Sequence, residues 1–282
     1  ATGSETGHPP PIASIPVPTD DFSALLALEP HGPDTWVGAG PTYPWGGLYG
    51  GQIVAQALAA ATRTVEPSHR VHSLHAYFIR RGDASEPVRY EVTRTRNGRS
   101  FTTRTVEARQ AVGAILSLSA SFQVDEEAPE VQTARLPDVP GPGDRASDSW
   151  SPFYERITLD PDPERGVAAA WMKLATPLTG DRDDPGAHAS ALAYMSDDVP
   201  TDAAHVLDPR AVETPPDSGL VAFSLDHAVW FHRPMRADEW HLHAFRCHGL
   251  ISSRGLAVGH IFTREGVHVA TVTQEVLLRA RR

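Results

Sequence analysis

The chain reads as an α+β protein built from two tandem units, each a central helix wrapped by an antiparallel sheet. Three observations predict this. Each half carries one apolar helical stretch followed by runs of alternating strand pattern. Ala76-Tyr77-Phe78-Ile79-Arg80 matches Val229-Trp230-Phe231-His232-Arg233 at an offset of 153, and Arg109-Gln110-Ala111-Val112 matches Arg264-Glu265-Gly266-Val267 at 155. Two matches in the same order at nearly equal offsets mark an internal duplication. Asp125–Trp150 between the halves is rich in Pro, Asp and Glu and lacks periodicity, which is linker composition.

The expected organisation is a flexible lead-in over 1–19, a first unit over 20–125, a linker over 126–150 and a second unit over 151–282. In the first unit Gly50–Val65 is the helix. Ile53, Val54, Ala57, Leu58 and Ala61 keep helical spacing, and the many alanines suit burial against a sheet. Strands are expected at Val71–Ile79, Val88–Arg96, Thr102–Arg109 and Ala114–Val124, with Asn97-Gly98 as a turn. In the second unit Ala187–Asp198 is the helix, limited by Pro200. Its strands are Val221–Arg233, His241–His248, Leu256–Thr263 and Val267–Arg279. Two such units pair edge to edge into one continuous sheet.

Composition excludes several classes. The 25 Lys+Arg against 35 Asp+Glu give a net charge of −10, so no nucleic-acid partner is expected. One cysteine, Cys247, supports neither an internal disulfide nor a Cys-rich zinc site. No apolar run reaches the ~18–20 residues of a membrane span. The first 18 residues contain no Lys or Arg and lack a signal-peptide pattern, and Ala280-Arg281-Arg282 is not a peroxisomal address. The expectation is a cytoplasmic protein.

Four strings carry a family resemblance: Gly47-Leu48-Tyr49-Gly50-Gly51-Gln52, His72-Ser73-Leu74-His75-Ala76-Tyr77-Phe78, Asn97-Gly98-Arg99-Ser100-Phe101 and Leu225-Asp226-His227-Ala228-Val229-Trp230-Phe231-His232-Arg233. With the closing Val272-Thr273-Gln274-Glu275 they resemble the acyl-CoA thioesterase II family over roughly Asp20 to Arg279, the Pro-rich middle excepted. The resemblance implies a double hotdog fold, hydrolysis of fatty acyl-CoA to free acid and CoA, no cofactor and no metal, and a homodimer or higher homo-oligomer. It implies three catalytic residues that hold an attacking water. Asp197 lies in Tyr194-Met195-Ser196-Asp197, Ser224 stands two residues before Asp226-His227 where the family more often has threonine, and Gln274 precedes Glu275.

Those residue types suit the chemistry. A thioester needs no strong nucleophile, only a placed water, a carboxylate to take its proton and a stabilised oxyanion. A hydroxyl and a carboxamide each offer donor and acceptor sites to fix the water. At the observed offsets Ser224 falls over Val71 and Gln274 over Ser119, and the first helix holds no acid. The polar trio belongs to the second copy alone, as one active site per chain requires. The helix start at Gly50-Gly51 is a candidate for the oxyanion donors, and Arg80 and Arg81 for contacts to the CoA phosphates.

Other residues read as structural. Asp198 is expected at the surface, Trp230 and Phe231 in the core, and Cys247 as a small strand residue. His227 and His232 are five apart, hence on opposite faces of a strand, which disfavours a shared metal. The competing function is a non-catalytic acyl-CoA binder or sensor. A hotdog hydratase is disfavoured because no Gly-Asp-x-x-Pro-x-His string occurs, and a serine hydrolase because no Gly-x-Ser-x-Gly occurs.

Overall fold

The computed structural model describes residues 21–213 and 219–280. The lead-in over 1–19 and the terminal Arg281-Arg282 lie outside the described residues. The N-terminal half contains α1 (Phe22–Leu25), β1 (Glu29–Pro30), β2 (Thr35–Gly38), α2 (Gly50–Thr62), β3 (His69–Phe78), β4 (Val88–Asn97), β5 (Phe101–Gln110) and β6 (Gly113–Val124). The C-terminal half contains β7 (Tyr154–Thr158), β8 (Val167–Leu174), α3 (Pro185–Met195), α4 (Val199–Leu207), α5 (Pro209–Glu213), β9 (Leu220–Ser224), β10 (Asp226–Phe231), β11 (His241–Ile251), β12 (Arg254–Thr263) and β13 (His268–Ala280).

One antiparallel sheet runs through both halves in the order β1-β2-β4-β5-β6-β3-β10-β13-β12-β11-β8-β7, with β9 also on β13. The halves join where β3 pairs with β10, Leu74 opposite Val229. This is the expected double hotdog with its continuous sheet. Helix α2 is buried at ten of its thirteen positions, including Ala55, Ala57, Ala60 and Ala61. Small side chains let α2 lie close to both the sheet and α3. The side chain of Tyr49 donates to the carbonyl of Tyr194 across that helix pair, at 2.9 Å.

The duplication persists in the ladder. Val71 pairs with Phe122 in the first copy, and Ser224 pairs with Val276 in the second. Leu74 pairs with Ala120, and its counterpart His227 faces Gln274 by the register that sets Ala228 opposite Thr273. Gln274 therefore corresponds to Ala120, not Ser119. Ala120 points inward and is buried, whereas Ser119 is exposed. A one-residue slip exchanges the two faces of a strand, so burial decides the register.

Expectations on two elements and on one side chain change. Val221–Arg233 is not one strand, because β9 and β10 break at Leu225. The same place in the first copy, between Val71 and Ser73, is a bulge. Pro200 does not merely limit a helix; it stands in the first turn of α4, where its missing N–H costs nothing. Trp230 is half-buried and packs edge-on against His75, with ring centroids 5.0 Å apart. Adjacent strand residues point to opposite faces, so only Phe231 of the pair reaches the main core. Cys247 is a buried strand residue, as expected.

Residues 126–150 form an extended strap without helix or strand. Leu136 and Val139 cover a small apolar cluster of Ile157, Leu159, Trp171 and Leu242. The carbonyl of Pro140 accepts from the Trp171 indole at 2.8 Å. Among the described residues no helix is long and apolar enough to cross a membrane.

Candidate active site

Asp197 follows the C-cap of α3, Ser196, in the short turn that leads into α4. That turn carries it to the start of α2. The backbone amide of Gly51 donates to Asp197 Oδ2 at 2.8 Å. The carboxylate of the second copy thus sits on the helix N-terminus of the first, where free N–H groups and the helix dipole favour negative charge. Glycine is required there on steric grounds. A Cβ at Gly50 would lie 2.7 Å from Asp197 Oδ2, and one at Gly51 would lie 2.3 Å from the Tyr194 carbonyl.

Ser224 ends β9 and donates to Asp197 Oδ1 at 2.8 Å. Gln274, on β13, donates from Nε2 to Ser224 Oγ at 2.8 Å. The fold therefore brings Asp197, Ser224 and Gln274 together, from residues up to 77 apart in sequence. His227 joins them, its Nδ1 lying 2.7 Å from Gln274 Oε1. Ser224 and His227 are three apart and would face opposite sides of a regular strand. The break at Leu225 turns both toward Gln274, the re-aiming that strand irregularities perform.

Burial pushes the Asp197 carboxyl up to about 7, and the donors on Ser224 and Gly51 only partly offset it. Burial holds His227 down at about 4, so its ring is neutral at pH 7. Asp198 is not a surface residue. It accepts from Trp150 Nε1 at 3.1 Å and Tyr154 OH at 2.9 Å, and pairs with Arg156 at 3.1 Å.

Asp197 and Ser224 line a cavity of about 660 Å³, the size of a small-molecule site. Its walls include Trp45, Leu48, Ile53, Phe78 and Trp150, and its mouth includes Arg80 and Arg81. Gln274 is fully buried behind Ser224. Arg80 donates to the Ala114 carbonyl at 2.8 Å and Arg81 to the Trp45 carbonyl at 2.7 Å, so each spends these N–H groups on backbone rather than on a carboxylate. The Gly51 amide is engaged by Asp197 and is not available to an oxyanion, which corrects that half of the Gly50-Gly51 expectation; Gly50 does line the cavity. The sequence reads His227 as structural and gives Ser196 no role in the site. The only signal was a histidine where the first copy has Leu74.

Residues 39–123 match the family model for the acyl-CoA thioesterase N-terminal domain, and residues 125–278 match that for the C-terminal domain. The chain is 33% identical to acyl-CoA thioesterase 2 of Haemophilus influenzae over 82% of this chain and 87% of the relative. It is 32% identical to human acyl-coenzyme A thioesterase 8 over 98% of this chain and 93% of that one. Among solved structures, an acyl-CoA thioesterase II from Mycobacterium marinum superposes with a TM-score of 0.78 at 36% identity, covering 92% of this chain and 97% of the other.

Proposed function

This chain belongs to the acyl-CoA thioesterase II family, and on that premise we propose that it hydrolyses fatty acyl-CoA with a water held at Asp197 and Ser224. It is a thioester hydrolase by kinship; the residue roles are our reading. The observation that carries them is a buried carboxylate on a cavity wall, hydrogen-bonded to a serine hydroxyl that is itself held by a buried carboxamide.

In this mechanism the acyl chain lies along Leu48, Ile53, Phe78 and Trp150, and the CoA phosphates meet Arg80 and Arg81. Water sits beside the hydrogen-bonded Asp197–Ser224 pair, within reach of both. Asp197 takes one proton as the oxygen attacks the thioester carbon. The tetrahedral intermediate then expels the CoA thiolate, which regains a proton, leaving the free acid. A base with a pKa near the working pH suits this transfer. The Gly50 amide is our candidate oxyanion donor. Gln274 holds the Ser224 lone pairs so that its hydroxyl stays on the carboxylate. Fixed geometry of this kind contributes up to ~7–11 kcal/mol in well-oriented systems.

The test is CoA release followed with a thiol reagent, for wild type and Asp197→Asn. We expect turnover by the wild type and a kcat at least ~10²-fold lower in the variant, the scale of a general base. Turnover unchanged in the variant removes Asp197 from the mechanism. Binding without release by the wild type favours the non-catalytic acyl-CoA binder.

A further inference from the structure

We propose that His227 is a positioning residue that fixes the orientation of the Gln274 carboxamide. The proposal rests on the Asp197–Ser224–Gln274 reading above and adds a residue that touches neither water nor substrate. Four contacts carry it. Ser196 Oγ lies 2.9 Å from His227 Nε2, His227 Nδ1 lies 2.7 Å from Gln274 Oε1, Gln274 Nε2 lies 2.8 Å from Ser224 Oγ, and Ser224 Oγ lies 2.8 Å from Asp197 Oδ1.

The direction of each bond follows from the chemistry of the groups. A carboxylate only accepts, so Ser224 donates to Asp197. Ser224 has then spent its one hydrogen, so it accepts from the Gln274 NH2. That leaves the Gln274 carbonyl toward His227, and a carbonyl also only accepts. His227 must therefore carry its proton on Nδ1. Its ring is neutral, so Nε2 is bare and accepts from Ser196 Oγ at 2.9 Å, a closer partner for that hydroxyl than the Ala193 carbonyl at 3.2 Å. Every donor in the row points toward Asp197. Rotating the Gln274 amide by half a turn would set its oxygen against the Ser224 lone pairs at 2.8 Å and abolish that row. Both Gln274 and His227 are fully buried, so no solvent compensates a wrong orientation. The first copy has Leu74 and Ala120 at these two places and no such row.

The first copy also supplies the variant. His227→Leu installs the residue the same fold position already accommodates, and His227→Asn restores an N–H near the place of Nδ1. We expect His227→Leu to lower kcat roughly 10- to 100-fold, the scale of a misplaced group, with KM within about twofold. His227→Asn should recover most of that loss. Nitrogen NMR of the wild-type ring should report a neutral imidazole protonated on Nδ1, a readout that survives if either variant fails to fold. A ring protonated on Nε2, a folded His227→Leu enzyme with wild-type kcat, or an Asn variant no better than Leu overturns the proposal. Asp197→Asn in parallel separates the two ideas: an active Asp197→Asn sinks the mechanism, whereas an inactive Asp197→Asn beside a fully active His227→Leu sinks only the role of His227.

Discussion

Asp197 Oδ2 lies 2.8 Å from the amide of Gly51, so the acid of one repeat is seated on the helix of the other. Neither half alone contains the site. The second supplies Asp197, Ser224 and Gln274; the first supplies the N-terminus of α2 and part of the cavity wall.

The pH dependence follows from burial. With its pKa pushed up to about 7, Asp197 is ionised chiefly above that pH, and the proposed mechanism needs the ionised form. We expect kcat to fall as pH drops through about 7, measured by CoA release across pH 5 to 9, roughly tenfold per pH unit on the acid side. An acid limb near the ordinary carboxylate value contradicts it.

The same shift has a stability sign. The folded pKa lies above the ordinary value of 3.8, so the native state binds the extra proton. That stabilisation is complete below 3.8 and lost as pH rises through about 7. Denaturant unfolding should therefore show Asp197→Asn gaining on wild type between pH 4 and 8. A difference that stays constant over that range speaks against a buried, shifted Asp197.

Gly50→Ala places a methyl 2.7 Å from Asp197 Oδ2 and 2.9 Å from the Phe78 ring. The overpacking costs about 1–3 kcal/mol. Displacing the carboxylate should reduce kcat by about 10²-fold. Steady-state kinetics with a thermal melt checks both, and wild-type kcat in a folded variant refutes the close fit.

Gln274→Ala removes the donor behind the half-buried Ser224 hydroxyl and leaves the fully buried His227 Nδ1 without its partner. We expect kcat to fall more than KM rises, as loss of an interaction made at the reacting centre does. A change in KM alone would assign Gln274 to substrate binding.

Arg81→Ala should raise KM for acyl-CoA several-fold and leave an acyl-pantetheine thioester, which lacks the nucleotide phosphates, nearly unaffected. Equal effects on the two substrates argue against a phosphate contact at Arg81.

The amino-acid sequence determined the architecture because its signals are local or repeated. The alanines of α2, the alternating strands and the offset matches each follow from residues near one another in the chain. Kinship strings named Asp197, Ser224 and Gln274. The tertiary structure decided what depends on side-chain direction. The break at Leu225 inverts strand parity, so Ser224 and His227 share a face that sequence alternation denies them. Burial moved Gln274 from over Ser119 to over Ala120 and Trp230 from the core to the outer face. Trp150, Tyr154 and Arg156 enclose Asp198, which sequence position alone would leave in solvent. These outcomes turn on which groups meet across the two repeats, and distances in space are not written in the order of residues.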